Sequence, residues 1–168
     1  MMLEIDIESD EEWDSSTDWP LLTSKSAEAA VAESAFPQLA ESGRAVELSV
    51  RLTSDEDVRA LNAHWRGKDK PTNVLSFPMS EQYELEQADE DGPELMLGDI
   101  VLARGVCERE AAEKEIPFER HASHLLLHGT LHLLGYDHGD DRDAADMESR
   151  EVRALARIGI DHPYLVLE

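Results

Sequence analysis

The sequence has little cysteine, few aromatic residues and little positive charge, and each shortage excludes a class of protein. One cysteine among 168 residues rules out an intramolecular disulfide framework. Lys and Arg number 15 against 38 Asp and Glu, so the net charge is −23. Proteins normally bind a polyanion through clustered cations, so this charge argues against unspecific adhesion to nucleic acid or to an anionic membrane surface. Any contact with nucleic acid must therefore depend on a local site.

Long apolar runs are also missing. No stretch approaches the roughly 20 residues that span a bilayer, and the opening MMLEIDIESDEEW has neither the basic nor the apolar region of a secretory signal. We therefore expect a cytoplasmic protein that does not associate with membranes. Apolar residues make up 41% of the chain and recur in periodic blocks, which favours folding over disorder. The length predicts one domain over residues 1–168.

Hydrophobic periodicity predicts an alternation of strands and helices followed by a helical C-terminal half. Strands are predicted at 3–8, 46–52, 73–77 and 96–103, and helices at 26–41, 54–65, 104–116, 118–134 and 140–158. The last two strands are expected to pair antiparallel, and 81–94 between them is predicted as an acidic surface loop. Acidic residues at the start and arginines at the end of the last helix indicate a solvated amphipathic helix.

The most informative segment is HLLLHGTLHLLGYDH at 124–138. His128 and His132 are four residues apart, which places both imidazoles on one face of a helix within reach of one ion. Gly135 lets the chain turn, so that His138 returns toward the same face. Three neutral nitrogen ligands with an open fourth position are typical of catalytic zinc, whereas a structural zinc usually has four protein ligands.

A structural interpretation competes with the metal site. The helix is rich in leucine, and a single histidine on such a helix would more often be a core residue that has found a hydrogen-bond partner. Two histidines at this spacing and a third after a glycine turn favour metal. His124 lies four residues before His128 and either supports a ligand or competes with one, and we rank it below His138. The other histidines, at 64, 121 and 162, lack this spacing.

The histidine spacing equals that of the HExxHxxGxxH motif of the metzincin proteases. In those enzymes the glutamate after the first histidine is the general base. This sequence has Gly129 at that position. The peptidase interpretation therefore lacks its main catalytic group.

Three separated segments resemble the YbeY family of bacterial endoribonucleases, the rRNA maturation factors. They are LNAHWRGKDKPTNVLSFP at 61–78, LGDIVLA at 97–103 and HGTLHLLGYDH at 128–138. The resemblance implies a single-domain α+β fold with a small mixed sheet of about four strands, packed with helices. It also implies a zinc ion bound by His128, His132 and His138, and metal-dependent cleavage of single-stranded RNA. The functional arginine of the family corresponds to Arg66.

In family terms the protein would process ribosomal RNA, in particular the end of the small-subunit rRNA, and would serve ribosome quality control. Its partners would be single-stranded RNA, ribosomal RNA and ribosomal particles, with no DNA expected. The acidic zones of the chain suggest basic ribosomal proteins as further partners. Binding to ribosomal particles would then weaken when the charges of 81–94 are neutralised.

Local chemistry is compatible with this resemblance. Neutral histidine ligands leave the charge of a zinc ion uncompensated, which makes the pocket electropositive in an acidic protein. Arg66 is expected to bind a phosphate with two hydrogen bonds. Lys68 and Lys70 either hold flanking phosphates or belong to a solvated turn. Asp137 is a candidate base, although a carboxylate there also suits the orientation of a histidine.

Two alternatives remain open at this point. A metal-dependent hydrolase of peptides or small amides would share the three-histidine site and would be indifferent to the loss of Arg66. A non-catalytic ribosome-assembly factor would use the metal only to tie the helix to its following loop. Polar residues at 72, 73 and 76 are candidate RNA contacts, but turn capping and strand ends also explain the first two.

Overall fold

The structure, a computed structural model, describes residues 3–11, 13, 16–40, 44–87, 92–137 and 139–160. Its strands are β1 (Leu3–Ser9), β2 (Val46–Thr53), β3 (Val74–Pro78) and β4 (Leu95–Ala103). Its helices are α1 (Trp19–Ala32), α2 (Asp55–Arg66), α3 (Gln82–Glu86), α4 (Arg104–Lys114), α5 (Phe118–Leu133) and α6 (Asp141–Arg157), with a short 3-10 helix at Pro37–Ala40.

The four strands form one mixed sheet in the order β1-β2-β4-β3. β1 pairs parallel with β2, and β2 pairs parallel with β4. β3 pairs antiparallel with β4, as the sequence predicts. The chain is therefore a single-domain α+β protein with a small mixed sheet, and the expected fold class is confirmed.

Helix α5 lies at the centre of the molecule and is buried on two sides. Leu125 and Leu126 belong to the large core between α5 and the sheet. Leu127 and Leu131 belong to a second core with residues of α1 and α6. Burial on two sides explains why α5 is rich in leucine around nearly its whole circumference.

The opposite face of the sheet is covered only in part. Val58 of α2 packs there with Leu75 of β3 and Val101 of β4. Ser54 begins α2, and its side chain accepts a hydrogen bond from the amide of Asp57. The helix therefore begins where the sequence predicts it, at a serine that caps its first turn.

The first helix does not have its predicted bounds. Residues 26–41 were expected to form it, but α1 starts seven residues earlier, at Trp19, and ends at Ala32. The side chain of Asp18 accepts a hydrogen bond from the amide of Leu21 (3.1 Å), and a proline occupies the first turn. Both are start signals of a helix, and they outweigh the alanine-rich pattern that follows.

The predicted acidic loop at 81–94 contains a short helix. Residues 82–86 form α3, and Leu85 within it is buried. The expectation of a loop is therefore corrected for these five residues, because one apolar side chain anchors the segment on the core. Residues 88–91 lie outside the described part of the chain.

Helix α6 is amphipathic, but it is more than a solvated surface element. Its buried face carries Met147, Ala154 and Leu155 and also the carboxylate of Glu151, which has 0% relative exposure.

Within the described ranges, no helix combines the length and the hydropathy that crossing a bilayer requires.

Candidate metal and phosphate site

The two predicted ligands on α5 face each other. The Nε2 atoms of His128 and His132 lie 3.0 Å apart, and both side chains are half-buried. Two nitrogens bound to one tetrahedral zinc ion at about 2.0 Å are about 3.3 Å apart, so the pair fits a shared ion. The third predicted ligand, His138, lies outside the described residues. Among the residues that are described, no three His, Cys, Asp or Glu side chains surround one ion position.

Glycine ends α5 as predicted and turns the chain. Gly135 has a φ of +98°, a conformation that favours glycine. Its amide donates to the carbonyl of His132 (3.0 Å), and the amide of Tyr136 donates to the carbonyl of Leu131 (3.1 Å). These two bonds form a Schellman motif, which satisfies the last carbonyls of the helix.

Tyr136, directly after this turn, contacts two other parts of the fold. Its hydroxyl accepts a hydrogen bond from the amide of Ala35 (2.8 Å). The guanidinium of Arg150 lies over its ring, 4.8 Å from the centroid. Tyr136 is therefore held by contacts with α6 and with the segment after α1.

A buried carboxylate from α6 supports the histidine pair. Oε1 of Glu151 is hydrogen-bonded to Nδ1 of His128, and Oε2 lies 3.3 Å from Nε2 of His124. Burial by itself raises the pKa of Glu151, but its interactions with His124 and His128 outweigh this and bring that pKa to about 2. The group is thus ionised at neutral pH and can only accept hydrogen bonds. Nδ1 of His128 therefore donates to the carboxylate, and Nε2 is the nitrogen that faces the pocket and His132.

Sequence reasoning did not find Glu151, which is 23 residues from His128. The sequence of α6 could have revealed it, because Glu151 lies on the same apolar face of the helix as Met147 and Leu155. An acid in an apolar stripe needs a buried partner. The same carboxylate also contacts His124, and this position beside Glu151 suits the supporting role considered for His124.

A second polar cluster anchors the start of β3. Nε2 of His121 lies 2.8 Å from Oε1 of Glu110, and the side-chain amide of Asn73 donates to the same carboxylate (3.0 Å). The other end of that amide, Oδ1, accepts a hydrogen bond from the backbone of Val74 (2.7 Å). Asn73, one of the candidate RNA contacts, thus has a structural role at the strand end.

Arg66 lines the same pocket as the histidine pair. This pocket has a volume of about 720 Å³, and Asp137 and Ser76 also contribute to its wall. The remaining residues of its lining are Trp65, Asn73, Val74, Phe77, Pro78, Gly135 and Tyr136. The structure therefore brings together the cation and the two described ligands that the sequence singled out, although α2 and α5 are far apart in the chain.

The loop after Arg66 carries two further exposed cations, Lys68 and Lys70. All three line an adjacent pocket of about 390 Å³. The buried side chain of Asn62 donates to the carbonyl of Lys70 (2.8 Å) and so holds this loop on α2. Asp69, the acid within the loop, is ion-paired with Arg59. Sequence reasoning did not assign Asn62 this positioning role.

Gly129 faces the sheet and not the pocket. A Cβ atom at this position would lie 3.1 Å from Cγ2 of Ile100 on β4. A glutamate here, the general base of the metzincin motif, would enter the interface between α5 and β4. The position of the metzincin general base is therefore occupied by a glycine that packs on the sheet.

Comparison with known proteins identifies a family over nearly the whole chain. Residues 9–159 match the family model described as endoribonuclease YbeY. The endoribonuclease YbeY of Rhizorhabdus wittichii is 49% identical over 168 residues, covering 99% of each chain. That of Novosphingobium aromaticivorans is 50% identical over 167 residues, covering 98% of this chain and 96% of its own.

A solved structure shares the fold. The solution structure of a protein from Thermotoga maritima superimposes with a TM-score of 0.54 at 23% identity. The superposition covers 94% of this chain and 91% of that protein. At this level of identity the likeness concerns the fold alone.

Proposed function

The chain belongs to the YbeY family of endoribonucleases, and we propose that it is a zinc-dependent endoribonuclease that cuts single-stranded RNA. We propose further that its substrate is ribosomal RNA, at the end of the small-subunit rRNA, and that it acts in the cytoplasm in ribosome quality control. Ribosomal particles, and the basic ribosomal proteins on them, are the proposed partners.

One observation carries the proposal. The pocket that contains the facing Nε2 atoms of His128 and His132 is also lined by Arg66. A pair of neutral nitrogen ligands beside a guanidinium is suited to an anionic substrate, because both the ion and the arginine attract negative charge. A peptide bond is neutral before it is attacked, whereas a phosphodiester already carries a negative charge that both cations attract when the substrate binds. Arg66 therefore favours a phosphodiester over the peptide or amide substrates of the alternative hydrolase.

Zinc fits the residues that are present. Imidazole is a preferred zinc ligand. The 3.0 Å between the two Nε2 atoms is close to the separation of two nitrogens that bind the same tetrahedral ion. His128 and His132 would hold it, with His138 as the proposed third ligand. When bound, the ion would supply Lewis-acid polarisation of the scissile phosphate.

The chain's own residues have separate tasks in this proposal. Glu151 fixes the ring and the tautomer of His128. Arg66 donates two hydrogen bonds to the scissile phosphate and stabilises the charge that develops on its oxygens. Lys68 and Lys70 hold the next phosphates along the strand. These three cations give local attraction to RNA within a protein of net charge −23.

The test is cleavage of a labelled single-stranded RNA by zinc-loaded protein, with His132→Ala and Arg66→Ala proteins purified in the same way. We expect cleavage by the wild type that stops on chelation. His132→Ala should be inactive, and Arg66→Ala should lose about 100- to 1000-fold in kcat, the usual effect of removing one donor to a developing oxyanion. Arg120→Ala, an exposed arginine on α5 outside the pocket, is the matched control and should cut like the wild type.

Equal cleavage by all variants would indicate a contaminating ribonuclease and would contradict the proposal. Intact RNA with hydrolysis of a peptide or amide, unaffected by Arg66→Ala, would favour the alternative hydrolase. Intact RNA with a sharp loss of thermal stability on chelation would favour the assembly factor.

A further inference from the structure

Trp65 is the one tryptophan of the described chain that faces solvent. Its relative exposure is 65%, whereas Trp13 and Trp19 are 4% and 3% exposed. Those two form an aromatic cluster with Phe118, with ring centroids 5.0–5.6 Å apart. Burial in the core therefore accounts for two tryptophans and leaves the third without a packing explanation.

The position of Trp65 is specific. It directly precedes Arg66 at the end of α2 and lines the pocket of the histidine pair. It also lines a separate groove of about 520 Å³ on the open face of the sheet. Together with Phe77 and Pro78, the indole forms the wall between the pocket and this groove.

Two neighbours hold the indole in place. The ring of His64 stands edge-on to it, with centroids 4.7 Å apart and an interplanar angle of 89°. Phe77 of β3 lies at 6.4 Å and 61°. A large planar surface with an orientation set in advance loses little conformational entropy when a flat ligand binds to it.

The charges on the two sides of Trp65 are opposite. Beyond Arg66 lie Lys68 and Lys70, which line the adjacent basic pocket. Beyond the indole lies the groove on the sheet, whose lining includes the carboxylates of Asp6, Glu8 and Asp99. Its arginine, Arg51, is already ion-paired with Asp57 (3.2 Å). A phosphate backbone is therefore attracted along the lysine side and repelled from the groove.

We infer that Trp65 is a stacking subsite for one unpaired nucleobase next to the scissile phosphate, and that it prefers a purine. The inference rests on the proposed function. A strand whose phosphates follow Arg66 and the lysines must leave the basic surface at the indole, where an aromatic face is available to a base. Aromatic stacking is tolerant of sequence but stronger for the larger base, and only an unpaired base can reach the ring.

The first test separates binding from chemistry. Steady-state cleavage of single-stranded RNA by zinc-loaded Trp65→Ala should show a KM raised about 5- to 150-fold, because alanine substitution of a stacking residue costs about 1–3 kcal/mol per base. Trp65→Phe should recover most of the loss. Tyr83→Ala removes an aromatic ring of similar exposure (62%) from α3, outside the pocket and the groove, and should leave KM unchanged. Zinc content and unfolding temperature should be the same in all variants.

The second test identifies the base. A series of RNAs, each with one abasic nucleotide, is cut by the wild type and by Trp65→Ala. At one position next to the cut, the abasic RNA should raise the wild-type KM as much as Trp65→Ala does, and the two changes together should add no further loss. A 2′-O-methylated single strand should quench the fluorescence of the wild type, and Trp65→Phe should abolish this quenching because the remaining tryptophans are buried.

The outcomes distinguish the two proposals. RNA cleavage by the wild type with an unchanged KM in Trp65→Ala would overturn the stacking subsite and leave the endoribonuclease intact. The subsite would also be overturned if, at every abasic position, the increase in KM simply added to the increase caused by Trp65→Ala. Failure of the wild type to bind or cut any RNA would instead overturn the proposed function.

Discussion

The buried carboxylate of Glu151 on α6 is hydrogen-bonded to Nδ1 of His128 on α5. This contact ties the last helix of the described chain to the histidine pair, so the site is built from α2, α5 and α6 together. An ionised carboxylate behind a ligating imidazole raises its basicity and fixes its ring. In the proposed zinc site, Glu151 is thus a positioning residue that acts through His128.

Replacing Glu151 should weaken zinc binding. We expect Glu151→Gln to lower zinc affinity about 10- to 100-fold, the usual cost of removing a supporting hydrogen bond behind a ligand. Competition with a chromophoric chelator measures this directly, without any RNA. Glu113→Gln, which neutralises an exposed carboxylate on α4, is the control for net charge. Zinc affinity that is unchanged in a normally folded Glu151→Gln protein would contradict the positioning role.

Removing the metal should abolish RNA cleavage but leave the fold. Helix α5 is packed on both sides by apolar cores that do not depend on an ion. Chelation should therefore remove only the binding contribution to stability, about 2.7 kcal/mol when free zinc is 100 times the dissociation constant. Far-ultraviolet circular dichroism at 25 °C should not change, and the unfolding temperature should fall in proportion. Loss of helix signal on chelation would show that the metal has a folding role instead.

Gly98 on β4 should tolerate no side chain. Its φ is +142°, and a Cβ atom would lie 2.2 Å from the carbonyl oxygen of Phe77 on the paired strand. Gly98→Ala should lower the free energy of unfolding by about 2–5 kcal/mol through backbone strain and steric overlap. Gly159→Ala would introduce backbone strain, since φ is +81°, but no steric overlap, since no atom lies within 4 Å of the added Cβ. It should cost only about 1–2 kcal/mol. Equal losses in urea unfolding would contradict the steric argument.

Glu33 should stabilise the protein in a pH-dependent way. Its carboxylate accepts hydrogen bonds from Arg157 (2.5 Å) and Arg153 (3.0 Å), joining the end of α1 to α6. The hydrogen bond with Arg157 lowers the pKa of Glu33 most, burial opposes this, and Arg153 lowers it further, so the pKa lies below 4.5. A lowered carboxyl pKa gives stability that is complete above the unfolded-state value and is lost as the pH falls through the folded-state value.

Glu33→Gln should accordingly destabilise the protein by about 1–2 kcal/mol at pH 7, since both arginines are half exposed and their interaction is screened. The difference from the wild type should shrink once the pH falls below 4.5. Urea unfolding of both proteins across this range measures it. A difference that stays constant down to pH 3 would show that the ion pairs contribute nothing.

Much of the fold follows from local pattern. The alternation in LEIDIES and VELSVRLT predicts β1 and β2 to within one residue of their bounds. The pairing of β3 with β4 and the end of α5 at Gly135 were also predicted correctly. Helix α1 was misplaced, because an alanine-rich stretch has no sharp period and the cap at Asp18 lies outside it.

The candidate site also has residues that local pattern predicts and residues that it does not. His128 and His132 are predictable because a fixed helical repeat brings residues four apart onto one face. The expectation of zinc also came from this spacing. Arg66, and with it the expectation of RNA as substrate, depended on a family resemblance, since no local rule relates α2 to α5. Glu151 was missed because its partner lies 23 residues away on another helix.

The sequence by itself therefore determined the strands, most of the helices, the histidine pair, the glycine turn and the acidic charge of the chain. Each of these depends on composition or on residues that are neighbours along a helix, a strand or a turn. Only the tertiary structure decided that Glu151 supports His128, that Gly129 faces Ile100, and that Trp65 stands between a basic and an acidic surface. These relationships join residues from different elements. They are set by how the helices pack on the sheet. The hydrophobic pattern of one helix or strand does not show which residues of another element it will contact.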